Sequence, residues 1–278
     1  MALGDFGVWT GFAAIGEENA HESAQLAESL GFGAFWLGGS PRLHAVTPLL
    51  EATSTITVAT GIVNVWQYEP PALAAEFAQL DAEYPRRLLL GIGIGHPEMT
   101  AEYTAPLAKM RGFLDGLDAA GEPVPAAARC LSALAPRMLE LSAQRARGAH
   151  TYFVPVEHTR AARALLGSDA LIATELACVL DPDAESARAT ARRYAEFYLR
   201  LRNYADNLRR LGYGEDDLAA GGSDRLLDAV VPQGSAELIA EVARAHLTAG
   251  ADHVCLQPVG VRGVPREQWT ALAAALIV

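Results

Sequence analysis

Short apolar runs alternate with amphipathic stretches along the whole chain. FGVWT from Phe6, GAFWL from Gly33, ITVATGI from Ile56, RLLLGIGI from Arg87, RCLSAL from Arg129, AHTYFV from Ala149, LIATELACVL from Leu171 and DHVCLQPV from Asp252 have the length and continuity of buried strands. Between them, ENAHESAQLAESLG shows helical spacing and stops at Gly31, a residue suited to the left-handed turn past a helix end. PPALAAEFAQLDAEY opens with Pro70 and Pro71, which cost nothing at a helix start because the first amides there have no intrahelical partner. Eight strands with helical connections, and WTALAAALI at the end, predict an α/β fold, a closed (β/α)8 barrel. A doubly wound open sheet is the alternative, and the count of eight favours closure.

No linker, composition shift or fixed-period repeat divides the chain, so residues 1–278 are expected to form one barrel domain. The connection from Asp181 to Ala251 is much longer than the others. It reads as two or three helices, from ESARATARRYAEFYLRLRNYADNLRRLG and SDRLLDAVV, making a helical insertion over about 181–250 before the last strand.

Composition narrows the function classes. Half the residues (51%) are hydrophobic, so a packed core is expected rather than disorder. A net charge of −11 argues against broad gripping of nucleic-acid backbones. Lys109, the only lysine, is the sole Schiff-base candidate and lies in a helical stretch with an ordinary surface reading. Cys130, Cys178 and Cys255 are scattered and apolar in context, giving neither a disulfide framework nor a metal pair. With no apolar run of about 18 residues and no leader-like start, a cytoplasmic protein without a membrane anchor is expected.

Barrel active sites form where strands end, which singles out the residues just past each run. GIVNVWQYEPP offers Gly61, Asn64 and Trp66; GIGIGHPEM offers Gly93, Gly95, His96 and Glu98; SALAPRM places Pro136 and Arg137 at a helix start. The GIGIG glycines lack the spacing and context of a dinucleotide fingerprint. They mark either a strand bared for a flat ligand or close packing at the rim. Likewise the Pro136 helix start is either an anion site of free amides or an ordinary helix beginning. Trp36 and Trp66 are either pocket walls or core, and Asn64 is a polar group expected in the mouth.

Among the histidines, His21, His44 and His246 fall on helical faces expected to be solvated. His253 begins a strand and is expected at the barrel bottom or helix layer. His96, His150 and His158 are the acid/base candidates on the active face. No metal-ligand spacing and no nucleophile elbow occurs, so metal and nucleophilic catalysis are not expected.

Taken in order, GIVNVWQYEPP, RLLLGIGIGH, LSALAPRMLELSAQRARGAHTYFVPVEHT and GADHVCLQPVG resemble the luciferase-like monooxygenase superfamily. The resemblance is greatest to its actinobacterial branch of oxidoreductases that use the deazaflavin coenzyme F420. It implies a barrel that pairs as a homodimer and binds a flavin or deazaflavin ring at its mouth. A non-prolyl cis bond at Gly61–Ile62 would press on that ring. Ring-edge contacts map to Gly93, Ile94, Gly95 and His96, and the phosphate-binding turn to Ser132, Ala133, Leu134, Ala135 and Pro136; His150 follows the sixth strand. Sugar-phosphate dehydrogenases of this class carry an acid/histidine pair after the second strand, where WLGGSPR instead offers Gly38 and Gly39, so their activity is not transferred.

The expected function is hydride transfer between coenzyme F420 and a small organic substrate, with His96 or His150 supplying a proton. The alternatives are a monooxygenase using flavin mononucleotide (FMN), with a separate reductase, a non-catalytic flavin-binding protein and a cofactor-free scaffold.

Overall fold

In the computed structural model, which describes residues 2–277, the apolar runs become nine parallel strands. These are β1 (Phe6–Thr10), β2 (Ala34–Gly38), β3 (Thr57–Gly61), β4 (Val63–Asn64), β5 (Leu88–Gly93), β6 (Arg129–Ser132), β7 (Gly148–Thr151), β8 (Leu171–Cys178) and β9 (His253–Pro258). The order β3-β2-β1-β9-β8-β7-β6-β5 closes on itself because β3 also pairs with β5, Val58 facing Leu88. The result is an eight-stranded (β/α)8 barrel. All eight expected runs are strands. The two-residue β4 was not expected from the sequence; it continues β3 past one residue and pairs with β5, Asn64 facing Gly93.

Alternation along each strand makes two cores. Outward residues such as Val8, Phe35, Val58, Leu90, Leu131 and Leu256 pack under the helices. Inward residues such as Trp9, Trp36, Ala59, Leu89, Cys130 and Cys255 fill the barrel. Large interior rings are matched by glycines: a Cβ on Gly7 would lie 2.7 Å from the His253 ring, and one on Gly38 2.0 Å from Trp9 Cη2. Trp36 is fully buried and stacks on His150 at 4.2 Å. Its Nε1–H donates to His253 Nε2 (3.1 Å), while His253 Nδ1–H donates to the Gly4 carbonyl (2.8 Å). Thus Trp36 is core and does not reach the mouth, and His253 is at the barrel bottom.

The helices follow their start and stop residues. Pro70–Glu83 begins with its two prolines and buries Leu73, Ala74, Phe77 and Leu80; Ala20–Ser29 ends before Gly31, whose φ is +85°. The long connection holds helices Ala184–Leu199, Arg202–Arg210, Glu215–Leu218, Asp224–Val230 and Ala236–Thr248. The last of these packs beside Val156–Leu166 and Arg266–Leu276 in the outer ring, so the inserted part is 184–230 and does not extend to 250. That packing explains one correction. His246, expected on a solvated face, is fully buried and bonds Thr159 Oγ1 (2.9 Å), since its helix face meets Val156–Leu166. His21 and His44 are exposed, as expected. Among the described residues no helix is long and apolar enough to cross a membrane.

Candidate functional site

At the C-terminal end of the barrel lies a cavity of about 520 Å3, walled by strand ends and roofed by the inserted helices. Its inner wall is Trp9, which lies over Gly38 and Gly61: Trp9 Nε1 is 2.5 Å from where a Gly61 Cβ would be. That Nε1–H has no partner among the described residues.

One side of the cavity combines glycine backbone with apolar side chains. The Gly61–Ile62 bond is cis, and both residues line the cavity. Ile62 lies across Gly93, where a Cβ would fall 2.5 Å from Ile62 Cδ1; Gly93 is therefore glycine to admit Ile62 and does not itself line the space. Ile94, Gly95 and His96 continue the wall.

Opposite, the turn Ser132–Ala135 leads into the helix Pro136–Arg145. Ala133 N–H is used by the His150 carbonyl, but the amides of Leu134, Ala135 and Arg137 make no backbone hydrogen bond among the described residues. Such a start concentrates positive potential and suits an anion. Pro136 opens the helix from outside the cavity wall. Behind the turn, His158 Nε2–H donates to the Leu134 carbonyl (3.0 Å) and so holds the turn; it does not line the cavity. Arg210, on the inserted helix, faces the cavity and is close enough to depress His158 ionisation through its charge, after burial as the main cause.

Two histidines line the cavity, both with one nitrogen committed. His150 is buried; its Nδ1–H donates to the Ala173 carbonyl (3.1 Å), leaving Nε2 without a partner. Burial pushes its pKa down to about 4, against the carbonyl bond. His96 Nδ1–H donates to Asn203 Oδ1 (2.9 Å), and burial lowers its pKa too. Both rings are therefore neutral at pH 7 and offer a lone pair.

The roof was not read from the sequence. Tyr152, after β7, meets Trp9 at 5.2 Å and Tyr198 at 5.3 Å; Tyr204 packs on His96 at 5.3 Å. The hydroxyls of Tyr152, Tyr194 and Tyr198 interlock at 2.8 and 2.9 Å, with Tyr152 donating to Gln257 Oε1 (2.8 Å). Glu98 Oε1 accepts from Arg202 N (3.0 Å), tying the β5 loop to the roof. Tyr194 and Tyr198 stand one helical turn apart on Ala184–Leu199, a pattern that alone looks like core.

Asn64 and Trp66 stand behind the wall. Asn64 Oδ1 accepts from Trp66 N (3.1 Å), and Trp66 Nε1–H donates to the Ile94 carbonyl (2.8 Å). The short β4 turns them off the cavity, where they brace the Ile94 backbone. Lys109 lies 4.8 Å above the Trp66 ring and faces away from the cavity. No metal-ligand cluster occurs among the described residues. A shallower groove on Ala184–Leu199 has its arginines committed, Arg188 to Asp228 (2.7 Å) and Arg192 to Asp224 (2.8 Å).

Comparison with known proteins matches residues 2–257 to the luciferase-like monooxygenase family model. An F420-dependent secondary alcohol dehydrogenase, solved with an F420-acetone adduct, is similar in structure: TM-score 0.76, 15% identity, 99% of this chain and 98% of that one. The coenzyme F420-dependent tetrahydromethanopterin reductase of Methanopyrus kandleri gives 0.73, 15%, 100% and 99%. The oxygenating constituent of 3,6-diketocamphane monooxygenase from Pseudomonas putida, with FMN, gives 0.71, 13%, 97% and 96%. In sequence, the uncharacterized protein YceB of Bacillus subtilis (strain 168) is 34% identical over 85 residues, 27% of this chain; the match spans about a quarter (26%) of YceB.

Proposed function

Since the chain belongs to the luciferase-like monooxygenase family, we propose that it is an oxidoreductase whose cavity holds the ring of coenzyme F420 and passes a hydride to or from a small organic molecule. The observation that carries this reading is the pairing of two features across one cavity. A wall of Gly61, Ile62, Ile94 and Gly95, glycine backbone and apolar side chains, suits a flat ring, and the free amides of Leu134 and Ala135 at the helix start suit a phosphate. The residues present fit such a group: Ile62 would press on a ring face, Ile94 and Gly95 would meet its edge, and Ser132–Ala135 with Arg210 would hold its phosphate. When bound, the cofactor supplies the two-electron chemistry, and the protein supplies position, apolar cover and proton handling.

In this reading His96 and His150 handle protons as acceptors, His96 through an uncommitted Nε2 at the cavity and His150 through an unpartnered Nε2 sealed beneath the wall. Asn64, Trp66, Gly93 and Pro136 act on the cofactor through the backbone they brace or shape. FMN is the second reading, favoured by the fact that its phosphate would meet the same amides; a monooxygenase of that kind needs a separate reductase. Similar structures with either cofactor support keeping both. Homodimer assembly and a cytoplasmic setting complete the proposal. The test is to supply reduced F420, and separately reduced FMN with oxygen, to the protein with a panel of small ketones, aldehydes and enones. Turnover with one reduced cofactor supports the reading, and none with either leaves a binding protein.

A further inference from the structure

We propose that the Tyr204 hydroxyl is the proton donor to the substrate oxygen, and that the substrate is an uncharged, flat organic carbonyl compound held beneath the tyrosine roof. This deepens the redox reading above and rests on it.

A hydride added to a carbonyl carbon forms a C–H bond, breaks the C=O π bond and leaves an electron pair on oxygen that must receive a proton. The donor must carry a proton at neutral pH and face the cavity. The place after β2 cannot supply it, since Gly38 and Gly39 have no side chain and Trp9 covers Gly38. His96 and His150 have committed their only N–H, to Asn203 and Ala173, and offer lone pairs. Asp206 is engaged by Arg209 (2.9 Å) and Arg202 (3.3 Å). The Tyr152, Tyr194 and Tyr198 hydroxyls bond to one another and to Gln257.

Tyr204 differs from these. It lines the cavity, the residue is only 7% exposed, and its hydroxyl engages no side chain of the roof and is not among the sealed polar atoms, so it opens onto the cavity. Its ring is fixed by His96 and Tyr198, each at 5.3 Å, and by Phe153 at 5.8 Å. A phenol that faces the cavity with its hydroxyl uncommitted to the protein can donate to a ligand oxygen placed there. Burial, then the charges of Tyr198 and Glu175, keep it protonated at neutral pH, so it has a proton to give. The phenolate left behind regains its proton from water at the mouth, where Met99 and Phe197 are exposed. Tyr103 also faces the cavity, but its ring lies at the rim against Trp66.

The substrate class follows from the walls. Trp9, Tyr152, Tyr198, Phe197 and Met99 are flat or apolar, while Arg210, the cation among the lining residues, sits by the phosphate turn. A charged substrate would lose hydration without gaining a counter-charge.

The probe is acetophenone labelled with 13C at its carbonyl, bound to the protein with and without cofactor. On the wild type its infrared carbonyl band is expected to move to lower frequency, and Tyr204→Phe is expected to abolish that move while Tyr103→Phe retains it. Tyr204→Phe should also leave cofactor affinity within about twofold and lower kcat by ~100-fold or more, with a smaller change in KM. An unshifted band on the wild type, a shift that persists in Tyr204→Phe, or failure of the wild type to bind acetophenone overturns the proposal. The infrared arm needs no cofactor, so failure of the wild type to take up either ring contradicts the redox reading separately.

Discussion

The Trp9 indole occupies the space that any side chain at Gly38 would need, its Cη2 falling 2.0 Å from a Cβ built there. A catalytic side chain at Gly38 is therefore sterically incompatible with Trp9 in its present place. Gly38→Ala is expected to cost about 1–3 kcal/mol of stability through overpacking, and Trp9→Leu in the same chain to recover most of it. Gly39→Ala meets nothing within 4 Å but has φ +85°, so it costs through backbone strain, in either background equally. Urea unfolding of the double-mutant cycle measures this; equal costs for Gly38→Ala with and without Trp9 contradict it.

Arg210 reaches the cavity from the roof beside the Leu134 turn. Arg210→Ala is expected to weaken FMN binding by ~10-fold or more while leaving riboflavin, which has no phosphate, within about twofold. Calorimetric titration of both ligands distinguishes a phosphate contact from general damage to the site.

Glu175 is buried inside the barrel, with one oxygen accepting from Phe153 N (3.1 Å) and the other unpartnered. Burial raises its pKa from 4.5 to about 8. Between those values the folded state holds more protons than the unfolded one, so this group's contribution to stability falls as pH rises through the window. Glu175→Gln removes that slope. It should gain roughly 3 kcal/mol or less over the wild type near pH 8, with little difference near pH 5. A gain that does not depend on pH would contradict the assignment.

How far the sequence revealed this molecule depends on the distance over which each feature is set. The strands were legible because a barrel buries both faces, leaving continuous apolar runs such as LIATELACVL; the helix start after Ala135 was legible because Pro136 fixes it locally. Trp9 and the tyrosine roof were not. An interior indole looks like any core residue, Tyr194 and Tyr198 meet Tyr152 because their helix crosses the mouth, and Tyr204 joins them across the break at Arg200–Leu201. Proximity in sequence puts Asn64 in the mouth and leaves Trp66 as pocket wall or core, whereas the short β4 directs both behind the wall. His246 looked solvated because helical periodicity does not say which neighbour will cover a face.

Acid should unfold the protein through its buried histidines. His150, His246 and His253 have pKa values lowered from 6.5 to about 4, burial being the largest cause in each. Between those values the unfolded chain binds more protons, so stability is lost as pH falls through that window, by up to about 3 kcal/mol for each group. Urea midpoints measured from about pH 7 down to about pH 4 should fall steeply; a flat profile there would contradict neutral burial of these rings.

The central claim is that a flat redox ring lies on the Gly61–Ile62 wall with its phosphate on the amides of Leu134 and Ala135. Titration of the purified protein with coenzyme F420 and with FMN, followed by cofactor absorbance and by tryptophan fluorescence, tests it most directly. The account predicts saturable one-to-one binding of at least one of them, quenching of Trp9 emission, and competition by inorganic phosphate. Failure of both to bind at millimolar concentration would contradict it.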